Sequence, residues 1–256
     1  MSKGNEPTAY REMTAVDLFG KRIRVLDLTR EIGPDLPVYP GHMKTNFWWH
    51  MTHRESKLRI GEESRFQGYG VKGIVMCDHV STHVDAVYHF NADRPDLTVE
   101  SIALETLITP ASWIDLSFVR PRTNITLENV KGAMARAGVD RLERGSSLLY
   151  YTGAGDRWGD PEAFVTQYPG LDSEASYWIL DQGVVNVLTD APSTDNPADL
   201  SYHNHTAHGE RLVIHTEIVS NINKIPKHTG FYLLVAPLKL KGCTGSPARI
   251  LALWEE

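Results

Sequence analysis

With two cysteines in 256 residues, Cys77 and Cys243, the chain has too few for a disulfide framework and lacks the paired spacing of a structural zinc site. A reducing, cytoplasmic setting is the expectation. Runs of Lys and Arg are missing, and a net charge of -6 with a pI near 6.0 supplies no basic field. Nucleic acid is therefore excluded as a partner. No apolar stretch approaches the roughly eighteen residues of a membrane span, and residues 1–20 lack the apolar core of a signal peptide. The expectation is a chain with no membrane partner. Internal repeats and low-complexity tracts are absent too. What remains is ordinary globular material, 41% hydrophobic and 23% charged, enough for one sizeable core. It reads as an N-terminal arm over residues 1–20 and one domain over residues 21–256.

Short β-rich runs alternate with helical patterns. Arg22–Leu28, Val71–Met76, Ser112–Leu116, Ser147–Thr152, Val184–Leu188 and Phe231–Ala236 have the length and the β-branched or aromatic content of strands. Together they predict a central sheet. Between them, Thr126 caps a helix with Leu127, Val130 and Met134 on one face and Gly138 as its stop. Asp160-Pro161 starts a second helix over Glu162–Gln167. Ser173–Gln182 forms a third that ends at Gly183. The order gives a mixed α/β class, a central sheet flanked by helices.

The most informative segment is Asp78-His79-Val80-Ser81-Thr82-His83-Val84-Asp85-Ala86-Val87-Tyr88-His89. His79, His83, Asp85 and His89 follow one another at offsets of four, two and four. Imidazole and carboxylate suit zinc, manganese or ferrous iron, and three protein ligands leave positions open for water and substrate. A four-residue step spans about 13 Å if extended but about 6 Å in a helical turn. His79 and His83 can share an ion only if Val80-Ser81-Thr82 bends. The alternative is a polar face of a half-buried strand, which would need many hydrogen-bond partners.

Downstream lie Tyr202-His203-Asn204-His205-Thr206-Ala207-His208 and His215-Thr216-Glu217. A helix after Pro197 would put His205 and His208 one turn apart. Glu217 stands in an apolar run where a carboxylate needs a cation, so His205 and Glu217 are read as metal-site residues. His203, His208 and His215 are read as parts of a solvated histidine-rich turn.

His79-x-Ser81-Thr82-His83-x-Asp85-x-Val87-x-His89 resembles the His-x-Gly-Thr-His-x-Asp-x-Pro-x-His signature of the metal-dependent cyclase hydrolases, the family of bacterial kynurenine formamidase and isatin hydrolase. Asp27-Leu28-Thr29 with Pro37-Val38-Tyr39-Pro40-Gly41 is similar to that family's opening, and Gly245-Ser246-Pro247-Ala248-Arg249 to its closing segment. His205 followed twelve residues later by Glu217 resembles the pair that completes the formamidase site. The likeness spans residues 22–254. Ser81 and Val87 replace a glycine and a proline, so the turn must tolerate a β-carbon and loses a fixed φ.

The resemblance implies a swivelling β/β/α fold and a homodimer or homotetramer. It also implies hydrolysis of an N-formyl amide, cyclic amide or lactone in a small aromatic or carboxylated substrate. The cofactor would be zinc or manganese, one or two ions per chain, with His79, His83 and Asp85 as ligands. With one ion, His89 is the general base. With two, it joins His205 and Glu217 around the second. Arg65, Arg157 and Arg211 are the basic side chains considered for a substrate acid. Thr82 and Ser193 could donate to an oxyanion, although turn or cap roles suit them better. Residues 43–69 and 155–171 lengthen the chain and point to a different substrate. Trp48, Trp49, His50 and His53 belong at a pocket rim, in a core or at a subunit interface. Two other classes compete. His83-x-Asp85 with a distant His fits the facial triad of a non-haem Fe(II) oxygenase, and a non-catalytic metal-binding protein would use the ions to hold its fold.

Overall fold

Alternation along the apolar strands decides the architecture, because successive side chains point to opposite faces and both faces are covered. In a computed structural model, which describes residues 10–256, the elements run β1 (Met13–Leu18), β2 (Lys21–Asp27), β3 (Asn46–Met51), α1 (His53–Ile60), β4 (Val71–Val75), β5 (His83–Asp85), α2 (Val87–Phe90), β6 (Ile108–Asp115), β7 (Asn124–Ile125) and α3 (Leu127–Ala137). They continue with β8 (Ser147–Tyr151), α4 (Pro161–Thr166), β9 (Gly170–Leu171), α5 (Ser173–Asp181), β10 (Asn186–Thr189), α6 (His203–Arg211), β11 (Ile214–Glu217), β12 (Phe231–Pro237) and β13 (Gly245–Glu255).

The main sheet has the order β1-β2-β13-β12-β6-β8-β10-β11-β5, and β5 pairs back onto β13. The strands from β13 round to β5 thus close into a seven-stranded barrel. β13 achieves this by its length. Gly245–Pro247 pair with Asp85–His83, while Leu251–Glu255 pair with Asp27–Ile23. β6, β8, β10 and β11 are parallel, so each step between them needs a crossover, supplied by α3, by α4 with α5, and by α6. Leu149 and Leu188 point into the barrel beside Val84, Leu233 and Ile250. Their neighbours Leu148, Tyr150 and Val187 point outward onto Val130, Met134 and Ile179 of the helices. Each such fully buried leucine contributes roughly 1.5–3 kcal/mol.

Local signals place the helices. Thr126 Oγ1 accepts from Asn129 N while Asn129 Oδ1 accepts from Thr126 N, a reciprocal cap, and Gly138 ends α3 at φ +65°. Asp160 and Asp172 cap α4 and α5. Two expectations are corrected. Residues 1–9 of the expected arm lie outside the described residues, but Met13–Leu18 is a strand, joined to β2 through Phe19 and Gly20 at φ +52° and +74°, the tight turn that suits strand twist. β4, expected in the central sheet, instead pairs with β3 as a separate ribbon. Gly73 lies flush under the Trp48 ring, where any β-carbon would collide. Trp48 and Trp49 remain about half exposed on this ribbon.

Candidate active site

The site forms beyond the carboxyl ends of β10 and β11, the usual ligand position in parallel sheets. The predicted bend is present. Ser81 sits at φ +54° and its hydroxyl donates to the carbonyls of Arg30 and Glu31, which holds a β-carbon in the left-handed region. The chain doubles back so that the rings of His79 and His83 lie 5.1 Å apart, edge to face. β5 then runs between β11 and β13, placing His83 and Asp85 on one buried face.

Following the protons shows what these groups need. Asp78 Oδ2 accepts from Thr244 Oγ1 at 3.0 Å, so that hydroxyl must accept, in turn, from His79 Nε2 at 2.8 Å. His79 Nδ1 is therefore bare, and it faces Asp85 Oδ1 at 2.6 Å. His83 Nδ1 donates to Ser81 O at 2.8 Å, leaving Nε2 bare at 3.1 Å from the same oxygen and 3.7 Å from Glu217 Oε2. In these neutral forms two lone pairs and a carboxylate meet, so a positive charge belongs there, a proton on His83 in the metal-free site or a bound cation in its place. The charges agree. Burial alone would lower the His83 pKa, but Asp85 and Glu217 overcome it and push it up to about 9. Burial opposes ionisation of Asp85, yet the surrounding imidazoles hold it well below the usual carboxylate range.

The other half of the site comes from α6 and β11. Asp195 Oδ1 accepts from Asn204 N at 2.7 Å and Oδ2 from His205 N at 3.1 Å, so it caps the start of α6. Oδ2 also takes the His205 Nδ1 proton at 2.5 Å, leaving Nε2 free. Glu217, at the end of β11, accepts from Thr194 N at 3.1 Å. His89 rises from α2 with its ring 4.1 Å from that of His79 and 5.6 Å from that of His205. Burial lowers its pKa to about 4, so the ring is neutral at neutral pH.

Potential ligand atoms thus gather in two groups that share Asp85: His79, His83 and Asp85, and Asp85, His205, His215 and Glu217. His203 pairs with Asp199 at the surface, as expected. His208 is buried rather than solvated, donating to Val213 O. His215, also expected to be solvated, is instead fully buried with Nε2 2.6 Å from Asp85 Oδ2. The signal for it was present, since His215 and Glu217 alternate on one face of the same strand. Asp195 and His42, which lines the pocket, had no comparable local signal.

A pocket of about 230 Å³ opens over these residues, lined also by Tyr39, His42, Met43, Ser193 and Tyr202. Among the described residues its wall includes no Lys or Arg. Arg157 donates to Gly153 O and Arg211 pairs with Asp181, and neither reaches the pocket, nor does Arg65. Thr82 is committed elsewhere, donating to Ile218 O at 2.6 Å. Trp48, Trp49, His50 and His53 do not line the pocket either.

The profile of a family described as putative cyclase matches residues 26–196, about two thirds of the chain. A kynurenine formamidase from Salinibacter ruber is 26% identical over 230 residues, covering 88% of this chain and 95% of the relative. An isatin hydrolase from Roseibium aggregatum is 26% identical over 261 residues, covering 92% and 94%. Among solved structures, isatin hydrolase A from Ralstonia solanacearum superposes with a TM-score of 0.78 at 26% identity over 91% of this chain and 92% of its own. An isatin hydrolase bound to the product analogue thioisatinate gives 0.79 at 23% identity over 91% and 93%, a likeness of fold. Over nearly its whole length, then, this chain shares sequence and architecture with these proteins, and it belongs to the putative cyclase family.

Proposed function

We propose that the protein is a metal-dependent hydrolase that opens an amide, cyclic amide or lactone in a small, ring-containing substrate. The observation that carries this reading is the convergence of His79 Nδ1 and His83 Nε2 on the single oxygen Asp85 Oδ1, at 2.6 and 3.1 Å. The relatives support it, being kynurenine formamidases and isatin hydrolases that act on C–N bonds. They give no support to an oxygenase or to a purely structural metal site.

In this reading His79, His83 and Asp85 hold zinc or manganese. Asp85, His205 and Glu217 are the groups available to a second ion. A divalent ion bound there lowers the pKa of a water toward neutrality and polarises the scissile carbonyl. His89, neutral and stacked beside His79, would be the side chain placed to receive a proton at the site. His205, aimed by Asp195, presents Nε2 to the substrate, and Ser193 offers a hydroxyl from the pocket wall. Tyr39, Met43 and Tyr202 supply apolar faces for a ring. With no Lys or Arg among the described residues of the wall, the ion and the imidazoles are the groups placed to meet a substrate acid.

Among the described residues no helix is long and apolar enough to cross a membrane. With free thiols at Cys77 and Cys243, this supports a cytoplasmic enzyme. The exposed Trp48–Trp49 ribbon is a face that a second copy would cover in a homodimer or homotetramer. The functional test is a hydrolysis screen of N-formyl aromatic amines, isatin-like rings and unsaturated lactones, with metal-stripped and reloaded protein. Turnover restored by zinc or manganese is expected. Turnover that survives complete metal removal, or product formation that requires oxygen, contradicts the reading.

A further inference from the structure

Four imidazoles share a possible ligand group with Asp85, and three of them are tied at one nitrogen so that the other is free in the neutral ring. Thr244 serves His79, the Ser81 carbonyl serves His83, and Asp195 serves His205. A nitrogen ligand needs this arrangement, with its proton on the far nitrogen and an acceptor beside it. His215 is built the other way round. Its Nδ1 is buried and has no partner, while Nε2 lies 2.6 Å from Asp85 Oδ2 and 3.3 Å from Glu217 Oε1. The His208 ring stands 4.8 Å away at 78°, donates from Nδ1 to Val213 O, and makes no hydrogen bond to His215.

If Nε2 were a ligand, Nδ1 would carry a proton buried without an acceptor. With the proton on Nε2, Nδ1 is left as a bare buried acceptor instead of a stranded donor, and the N–H points between two carboxylate oxygens. Resting on the metal reading above, we propose that His215 is a positioning residue and not a ligand. Its Nε2–H holds Asp85 by Oδ2, turns Oδ1 toward His79 and His83, and occupies the gap between Asp85 and Glu217 that a second, bridging ion would need. The site then takes one divalent ion per chain, and His205 Nε2 and Glu217 Oε2 are left to face water and substrate.

The test is a manganese titration of metal-stripped protein by calorimetry, with electron paramagnetic resonance of the bound ion and circular dichroism for folding. Wild type, His215→Leu and His215→Gln are compared, because the glutamine amide restores an N–H donor at similar reach. The expected results are one ion per chain in wild type with the spectrum of isolated manganese, affinity reduced about 10- to 100-fold in the leucine variant, and recovery in the glutamine variant. A second, weaker ion gained by the leucine variant also supports the proposal. Two tightly bound, spin-coupled ions in wild type overturn it, and so does a folded leucine variant of wild-type affinity. If leucine prevents folding, the wild-type stoichiometry and the glutamine variant still decide. No uptake by wild type overturns the metal reading itself, an outcome distinct from the other two.

Discussion

Gly245→Ala should weaken metal binding without unfolding the protein. Gly245 opens β13, and its backbone does not use the positive-φ region that resists a side chain. The obstacle is His79. A β-carbon on residue 245 would lie 2.6 Å from His79 Cε1 and 2.9 Å from both ring nitrogens, where ordinary contact begins near 3.4 Å. The ring must therefore move by about 0.8 Å, which disrupts its 2.8 Å bond to Thr244 and its 2.6 Å approach to Asp85. Sites of this kind tolerate displacements of about 0.5 Å, and a misplacement of about 1 Å can reduce turnover about 100-fold. The expected outcome is a 10- to 100-fold loss of manganese or zinc affinity, about 1.4–2.7 kcal/mol, measured by calorimetry. The metal-free protein should still unfold cooperatively, because the three atoms nearest the added methyl all belong to this movable ring. A folded alanine variant with wild-type metal affinity would refute the role given to His79.

Four further outcomes follow. His89→Ala should retain its metal by elemental analysis but lose about 10²- to 10⁴-fold in kcat, and a variant that loses the metal as well would make His89 a ligand. Asp195→Ala should lower both turnover and thermal stability, the latter by about 1 kcal/mol for a lost helix cap; Asp195→Asn keeps a capping oxygen and should lower turnover alone. For metal-free protein the pH dependence has a definite sign. The folded-state pKa of His83 is raised to about 9, so its stabilisation is complete below its unfolded value of about 6.5 and disappears as pH rises through about 9. Melting temperature of the metal-free form should fall across that window, while the metal-loaded form resists, and equal behaviour of both forms would count against a cation at His83. Trp48→Ser with Trp49→Ser should shift the protein toward monomer in light scattering without altering the fold, and an unchanged mass would place the interface elsewhere.

Much of this was legible in sequence because it is local. The His79–His83 bend, the Thr126 and Asp160 caps and the apolar runs of β8 and β12 depend on residues within a few positions of one another. Barrel closure was not legible, since it depends on Gly245–Pro247 reaching β5, about 160 residues away. The β3–β4 ribbon was missed for a related reason. β4 has a strand's composition, but only contact with Trp48 shows which partner it takes. In the site, the spacing of His79, His83 and Asp85 carried the expectation of a metal site, and their convergence is visible in the fold. The support around them was hidden. Thr244 holds His79 from 165 positions away and His215 reaches Asp85 from 130. His205 is aimed by Asp195 across a loop whose geometry appears only once α6 is built.

The account depends most on a cation held between His79, His83 and Asp85, and anomalous diffraction tests it most directly. Crystals soaked in manganese or zinc and measured at that metal's absorption edge should show a peak about 2.0–2.3 Å from His79 Nδ1, His83 Nε2 and Asp85 Oδ1. A peak elsewhere, with these three side chains undisturbed and nothing between them, would contradict it.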